Sequence, residues 1–220
     1  MSRFKQYLQK IITKSIIEIV AVFIGITLAF FIDNYRHEKD KFEITKKYYS
    51  LLNQELSNDS AYMALGLEEM KFQIEHIDTF IYGAENGSVE IMNQQLLGID
   101  VEIKSNNKMA IANTLLESHA FNELYDTLIF SDLNTLRTIQ ENFNKINNRI
   151  EVEKLKLDDR YFNKIYNYSS KVFDVNSIED KNQFLNELIR FKKLLEERKM
   201  YQMSLIDMTK KLLVEVKSYV

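Results

Sequence analysis

The most apolar stretch of the chain begins beside an ionisable residue. Residues 19–32 read IVAVFIGITLAFFI, and Glu18 stands immediately before them. If that stretch is a membrane-spanning helix, Glu18 lies about 9 Å from its middle, inside the hydrocarbon edge. A carboxylate there can line an ion path or carry a proton. It can also pair with Lys14 one turn earlier while the lysine reaches back to the headgroups, and pairing is the favoured reading. On the same face Ala21, Gly25, Ala29 and Asp33 recur every four residues. Small residues at that spacing let two helix backbones approach closely in lipid. Glu18, Ala21, Gly25, Ala29 and Asp33 therefore form a candidate helix-association stripe.

Elsewhere the ingredients of chemistry are scattered. The histidines are His37, His76 and His119, and none stands in His-Glu-x-x-His or Glu-x-x-His spacing. Gln73 occupies the place where a glutamate would complete such a pair with His76. Glu117 and His119 are two apart and do not share a helix face. Asp158-Asp159-Arg160 reads as a solvated charge cluster. Phosphate-binding glycine loops and nucleophile elbows are missing, and the chain has no cysteine. No catalytic, cofactor or metal set is expected, and the chain does not read as an enzyme. A basic face with interleaved aromatics is also lacking, so no nucleic-acid partner is expected.

These residues must be carried by helices. Among 220 residues there is no proline and there are only five glycines, too few turn formers for a β-sandwich, a barrel or a loop-built enzyme. Counted from Ser15 to Ile32, the apolar segment has 18 residues, about 27 Å of helix against a hydrocarbon core of about 30 Å. Asp33, Asn34 and Tyr35 close it with polar groups and an interfacial aromatic. A cleaved signal peptide is disfavoured because apolar residues run straight through the candidate cleavage site Thr27-Leu28-Ala29. Arg3, Lys5, Lys10 and Lys14 precede the span without an acid among them. Positive charges flank both ends in nearly equal number, four before and five within about 15 residues after, but a short cationic tail is retained while a long domain crosses. The expectation is a single-pass inner-membrane protein with the N-terminus in the cytoplasm and residues 33–220 in the periplasm.

The run Glu18-Ile19-Val20-Ala21-Val22-Phe23-Ile24-Gly25-Ile26-Thr27-Leu28-Ala29, with its exit Ile32-Asp33-Asn34-Tyr35, resembles the opening of an uncharacterised family of bacterial single-span membrane proteins. In that family a glutamate precedes a valine-rich span, and an Asp/Asn-Asn-aromatic exit follows, usually with tryptophan where this chain has Tyr35. Tyr125 and Leu128 leading into Ser131 give a second similarity, with Asp132 where glycine is frequent. The resemblance implies a membrane anchor bearing a helical domain, and carries no activity or catalytic residues.

Beyond Asp33 the pattern is amphipathic. Tyr49, Leu52, Leu56, Met63, Leu67, Met70, Ile74, Ile77 and Ile81 make one helical stripe, stopped by the turn residues Gly83 and Asn86-Gly87. A second helix is expected from an N-cap at Ser131 to near Phe173, with a heptad seam over Leu136, Ile139, Phe143, Ile146 and Ile150 that Leu157, Phe162 and Ile165 extend with drift. A third opens at Asn176-Ser177, with Asp180 three residues on as in a capping box, and shows its inner face at Phe184, Leu188, Phe191, Leu195, Leu205, Leu212, Val216 and Tyr219. Between the first two helices lie short amphipathic pieces, at 88–97, 108–118 and 120–130, and the strand-like alternation of 98–103.

The predicted fold is all-α: a transmembrane helix continuing into a long antiparallel helical bundle with a small mixed tip. Its parts are a basic cytoplasmic tail (1–14), the span (15–32), a stalk and first bundle helix (33–82), a distal tip (83–130) and two long bundle helices (131–220). The function expected is a membrane-anchored interaction or scaffold protein. It would sit in a lipid bilayer, self-associate, and contact another envelope protein. An oligomeric pore with Glu18 in a ring and an envelope ligand sensor acting through a partner are the alternatives.

Overall fold

The computed structural model describes residues 2–99, 109–117, 127–167 and 172–219, with side chains from Val22 onward except those of Thr127 and Val172. These residues are almost wholly helical. Helix α1 runs without a break from Ser2 to Glu85. Helix α2 spans Val89–Ile99, α3 Ala110–Glu117, α4 Thr127–Leu157 and α5 Lys181–Lys217. Contacts divide the chain into two units, residues 1–48 and 49–220.

In the first unit the described part of α1 is exposed around its circumference from Val22 to Asp40. Among the described residues, no helix is long and apolar enough to cross a membrane. Of the run 15–32, the described side chains are those of 22–32.

The second unit is a three-helix bundle. Helix α5 runs antiparallel to α4, with Lys211 meeting Asp132 at 2.5 Å, Arg149 meeting Glu197 at 3.5 Å and Arg160 meeting Glu187 at 2.6 Å. It is also antiparallel to α1. Tyr219 stacks on Tyr49, Gln202 Nε2 donates to the Met63 carbonyl at 2.5 Å, and Lys192 meets Asp78 at 2.5 Å. Within this unit α1 and α4 are therefore parallel, and the chain between them must return along the bundle. The region expected at the tip is thus distributed: α2 packs against the end of α1, whereas α3 lies beside Glu55, some 30 residues earlier.

Several boundaries differ from expectation, each for a local reason. Gly83 stays inside α1, and the stop comes at Gly87, whose φ of 66° lies in the left-handed region that glycine enters freely. Helix α4 has begun by Thr127, and Ser131 is interior to it, its carbonyl accepting from Thr135 Oγ1. The same helix stops well short of Phe173. A π-helical turn, Asp158–Phe162, inserts after Leu157 and turns both Tyr161 and Phe162 inward onto Phe184. After one further turn at Asn163–Ile165 the chain forms a two-residue antiparallel ribbon, β1 (Tyr166–Asn167) with β2 (Val172–Phe173). Asp180 itself caps α5, accepting from Gln183 N at 2.8 Å, while Ser177 ends a short 3₁₀ turn started by Asp174. Gly98 and Ile99 end α2, and the remainder of the strand-like 98–103 lies outside the described residues, as do 121–126.

The core has two halves. One gathers Ile77, Phe80, Phe162, Phe173, Phe184 and Leu188 at the α2 end; the other gathers Tyr49, Leu52, Leu115, Leu133, Leu205 and Leu212 at the α3 end. Between them is a polar level. Arg198 is 2% exposed and lies over the Phe143 ring, 5.3 Å from its centre, next to the Gln202–Met63 bond. Burial lowers the Arg198 pKa to about 10, against the opposing pull of Glu69 and Glu151.

Candidate functional site

The candidate helix-association stripe falls on α1. Helical spacing places Gly25, Ala29 and Asp33 on one face, and all three are exposed. A β-carbon at Gly25 would meet nothing within 4 Å, so this surface is open to close approach. The side chains of Glu18 and Ala21 lie outside the described residues. Around the stripe the helix is apolar on every side: Phe23 is 72% exposed, Ile26 64% and Phe31 69%. Thr27, the one polar side chain in the described part of the run, gives its hydroxyl proton to the Phe23 carbonyl at 2.7 Å. That bond within the helix removes the need for water at its hydroxyl.

The residues singled out around His76 have structural work. Gln73 Nε2 donates to the Ile99 carbonyl at 2.6 Å, and His76 Nδ1 shares a 2.6 Å hydrogen bond with Gln95 Oε1. A β-carbon at residue 98 would overlap the His76 ring, so glycine there lets α2 close onto α1. Asp158, expected in solvent, pairs with Lys154 at 2.5 Å, and that lysine also sits over the Phe162 ring. Tyr161 is buried and Tyr166 half-buried, while Tyr168 and His119 lie outside the described residues. Among the described residues, no group of three or more His, Asp or Glu side chains is placed to hold a metal ion.

A second set of residues escaped the sequence reading. Glu55 and Asp59, one turn apart on α1, face the start of α3. Glu55 accepts from the Ile111 and Ala112 amides at 2.9–3.1 Å, and Asp59 accepts from that of Met109. They line a groove of about 680 Å³ whose walls include Leu51, Tyr62, Leu65 and Ile111. Burial first, and the Glu55 charge second, raise the Asp59 pKa from 3.8 to about 6, against the Met109 amide, whose hydrogen bond lowers it.

A signal for this set was present in the sequence. The inner stripe of α1 steps by three and four through Tyr49, Leu52, Leu56, Met63, Met70, Ile77 and Phe80, and the steps it skips are 59, 66 and 73. Those positions hold Asp59, Gly66 and Gln73, and all three are buried. Asp59 receives the amide before α3, and Gln73 holds the last residue of α2. Two of the three gaps in the stripe, Asp59 and Gln73, are where the returning chain is fastened.

No family model, curated protein or solved structure matches the chain. The resemblance at residues 18–35 consequently rests on those residues and the helical character alone.

Proposed function

We propose that the chain is a membrane-anchored helical interaction protein, with residues 15–32 in the bilayer and the bundle beginning at Tyr49 as its binding module. The observation that carries this reading is the all-round exposure of apolar side chains from Val22 to Ile32. A helix apolar on every face requires an apolar surrounding, and the uninterrupted α1 extends it upstream through Ser15 to about 27 Å. Exposed Tyr35 follows at the level of the headgroups. Self-association through the Gly25 face and contact of the bundle with another envelope protein complete the proposal. The cationic residues 3–14 favour a cytoplasmic N-terminus and a periplasmic bundle. In a flotation test the full chain should rise with liposomes after alkaline washing, whereas a chain lacking residues 2–32 should stay at the bottom of the gradient. Co-flotation of the truncated chain would overturn the assignment of the anchor. Alkaline phosphatase fused after Val220 should be active, and an inactive fusion would reverse the orientation.

A further inference from the structure

Helix α3 hangs on α1 by two carboxylates. Glu55 spans the amides of Ile111 and Ala112, and Asp59 receives that of Met109. Met109 is buried with φ at 40°, a left-handed backbone that a non-glycine side chain adopts at a cost. The clasp therefore holds the chain in a strained conformation where α3 begins. Asp59 is 8% exposed, and its Oδ2 has no hydrogen-bond partner. An anionic oxygen in that position has lost its water and gained nothing in return.

The charged group acting on Asp59 is Glu55, on its own helix. From α3 the facing groups are the backbone amides of Met109, Ile111 and Ala112; Glu117, the charged residue of α3, is exposed at the opposite end. Across the bundle, Lys211 of α5 is engaged by Asp132 of α4 and by Glu215. Among the described residues, no cation compensates the Glu55–Asp59 pair.

We propose that the pair is an acid-strengthened clasp: a proton on Asp59 secures α3 against α1, and losing it at neutral pH loosens α3 from the apolar surface beneath. That surface is the α3 end of the core, where Met109, Ala112 and Leu115 cover the cluster containing Tyr49, Leu52 and Leu56. The Asp59 pKa near 6 in the closed state, above the ordinary aspartate value of 3.8 towards which solvation returns it when α3 is released, gives the direction. A raised carboxylate pKa means that the closed state holds the proton more tightly. Its contribution is full below 3.8 and is lost as pH rises through about 6. Between pH 7.5 and pH 5 the closing equilibrium should strengthen about tenfold.

The test is backbone amide hydrogen exchange on the full chain in detergent micelles, read as protection factors at Met109, Ile111 and Ala112 relative to Leu195 in the core. Wild type should gain about tenfold in relative protection from pH 7.5 to pH 5. Asp59→Asn, a neutral isostere of the protonated acid, should be highly protected at both pH values and show no such gain. Flat or falling relative protection in wild type would overturn the proposal, and so would a wild-type pH dependence in Asp59→Asn.

Discussion

The same helix is built in two ways along its length. From Val22 to Ile32, α1 shows apolar side chains on all faces, and each of them is exposed. From Tyr49 onward it shows one apolar stripe, and Leu52, Leu56, Met70 and Ile77 on that stripe are fully buried. Backbone geometry is shared by both stretches; the arrangement of side chains around the axis differs, and that arrangement selects the surroundings each stretch requires. A single stripe is satisfied by α4 and α5. The apolar circumference from Val22 to Ile32 is exposed on every face, and the proposed membrane anchor rests on that exposure.

The largest effect expected from breaking this contrast lies in the bundle. Phe184 touches Phe80, Tyr161 and Phe162. Phe184→Ala should remove about 3–5 kcal/mol of stability from the second unit, measured as a lowered denaturant midpoint, with membrane attachment unchanged. Next, Ile26→Lys places a cation in the middle of the apolar stretch and should cost about 2.5–3.5 kcal/mol in insertion. Reporter assays of membrane integration should show the loss while the bundle unfolds as in wild type. If Ile26→Lys integrates normally, the two halves of α1 do not differ in the way described.

A smaller effect sharpens the contrast within the apolar stretch. Gly25→Ile keeps the surface apolar and adds bulk where the helix is open, so association of the isolated segment should weaken by about 1–2 kcal/mol. Val22→Ile, off the stripe, should change little in the same transmembrane association reporter. Equal signals from wild type and Gly25→Ile would end the stripe hypothesis. The smallest change is Asp180→Ala, which removes the α5 cap on Gln183 N and should lower bundle stability by about 1 kcal/mol. Calorimetry on the variant would show it as a modest drop in Tm.

Much of the local structure was readable from residue types. The lack of proline and the scarcity of glycine predicted helices, and the stripes on α1, α4 and α5 picked out their buried faces correctly at Leu52, Phe143, Leu188 and Leu205. Boundaries were less readable where competing local bonds decide them. Ser131 looked like a cap but lies within α4, and Asp180, read as the far end of a capping box, is the cap itself. The π turn at Asp158–Phe162 falls where the heptad seam drifts, between Leu157 and Phe162, but the joint burial of Tyr161 and Phe162 depends on Phe184 from another helix. Glu55 and Asp59 went unread because an acidic pair one turn apart on a helix is most often a solvated face.

By itself the sequence pointed to the helical character of the chain, the contrasting apolar patterns along α1 and a turn in the neighbourhood of Gly83 to Gly87, since each follows from interactions within a few residues. Tertiary structure alone decided that α1 and α4 run parallel in the bundle, with α2 and α3 fastened along α1 between them. Those fastenings join Gln73 to Ile99 and Glu55 to Ile111 and Ala112, 26 to 57 residues apart. In each of them one partner is a backbone atom, which every residue carries. A side-chain pattern therefore marks where α1 has a polar gap, but only the folded chain shows which amide fills it.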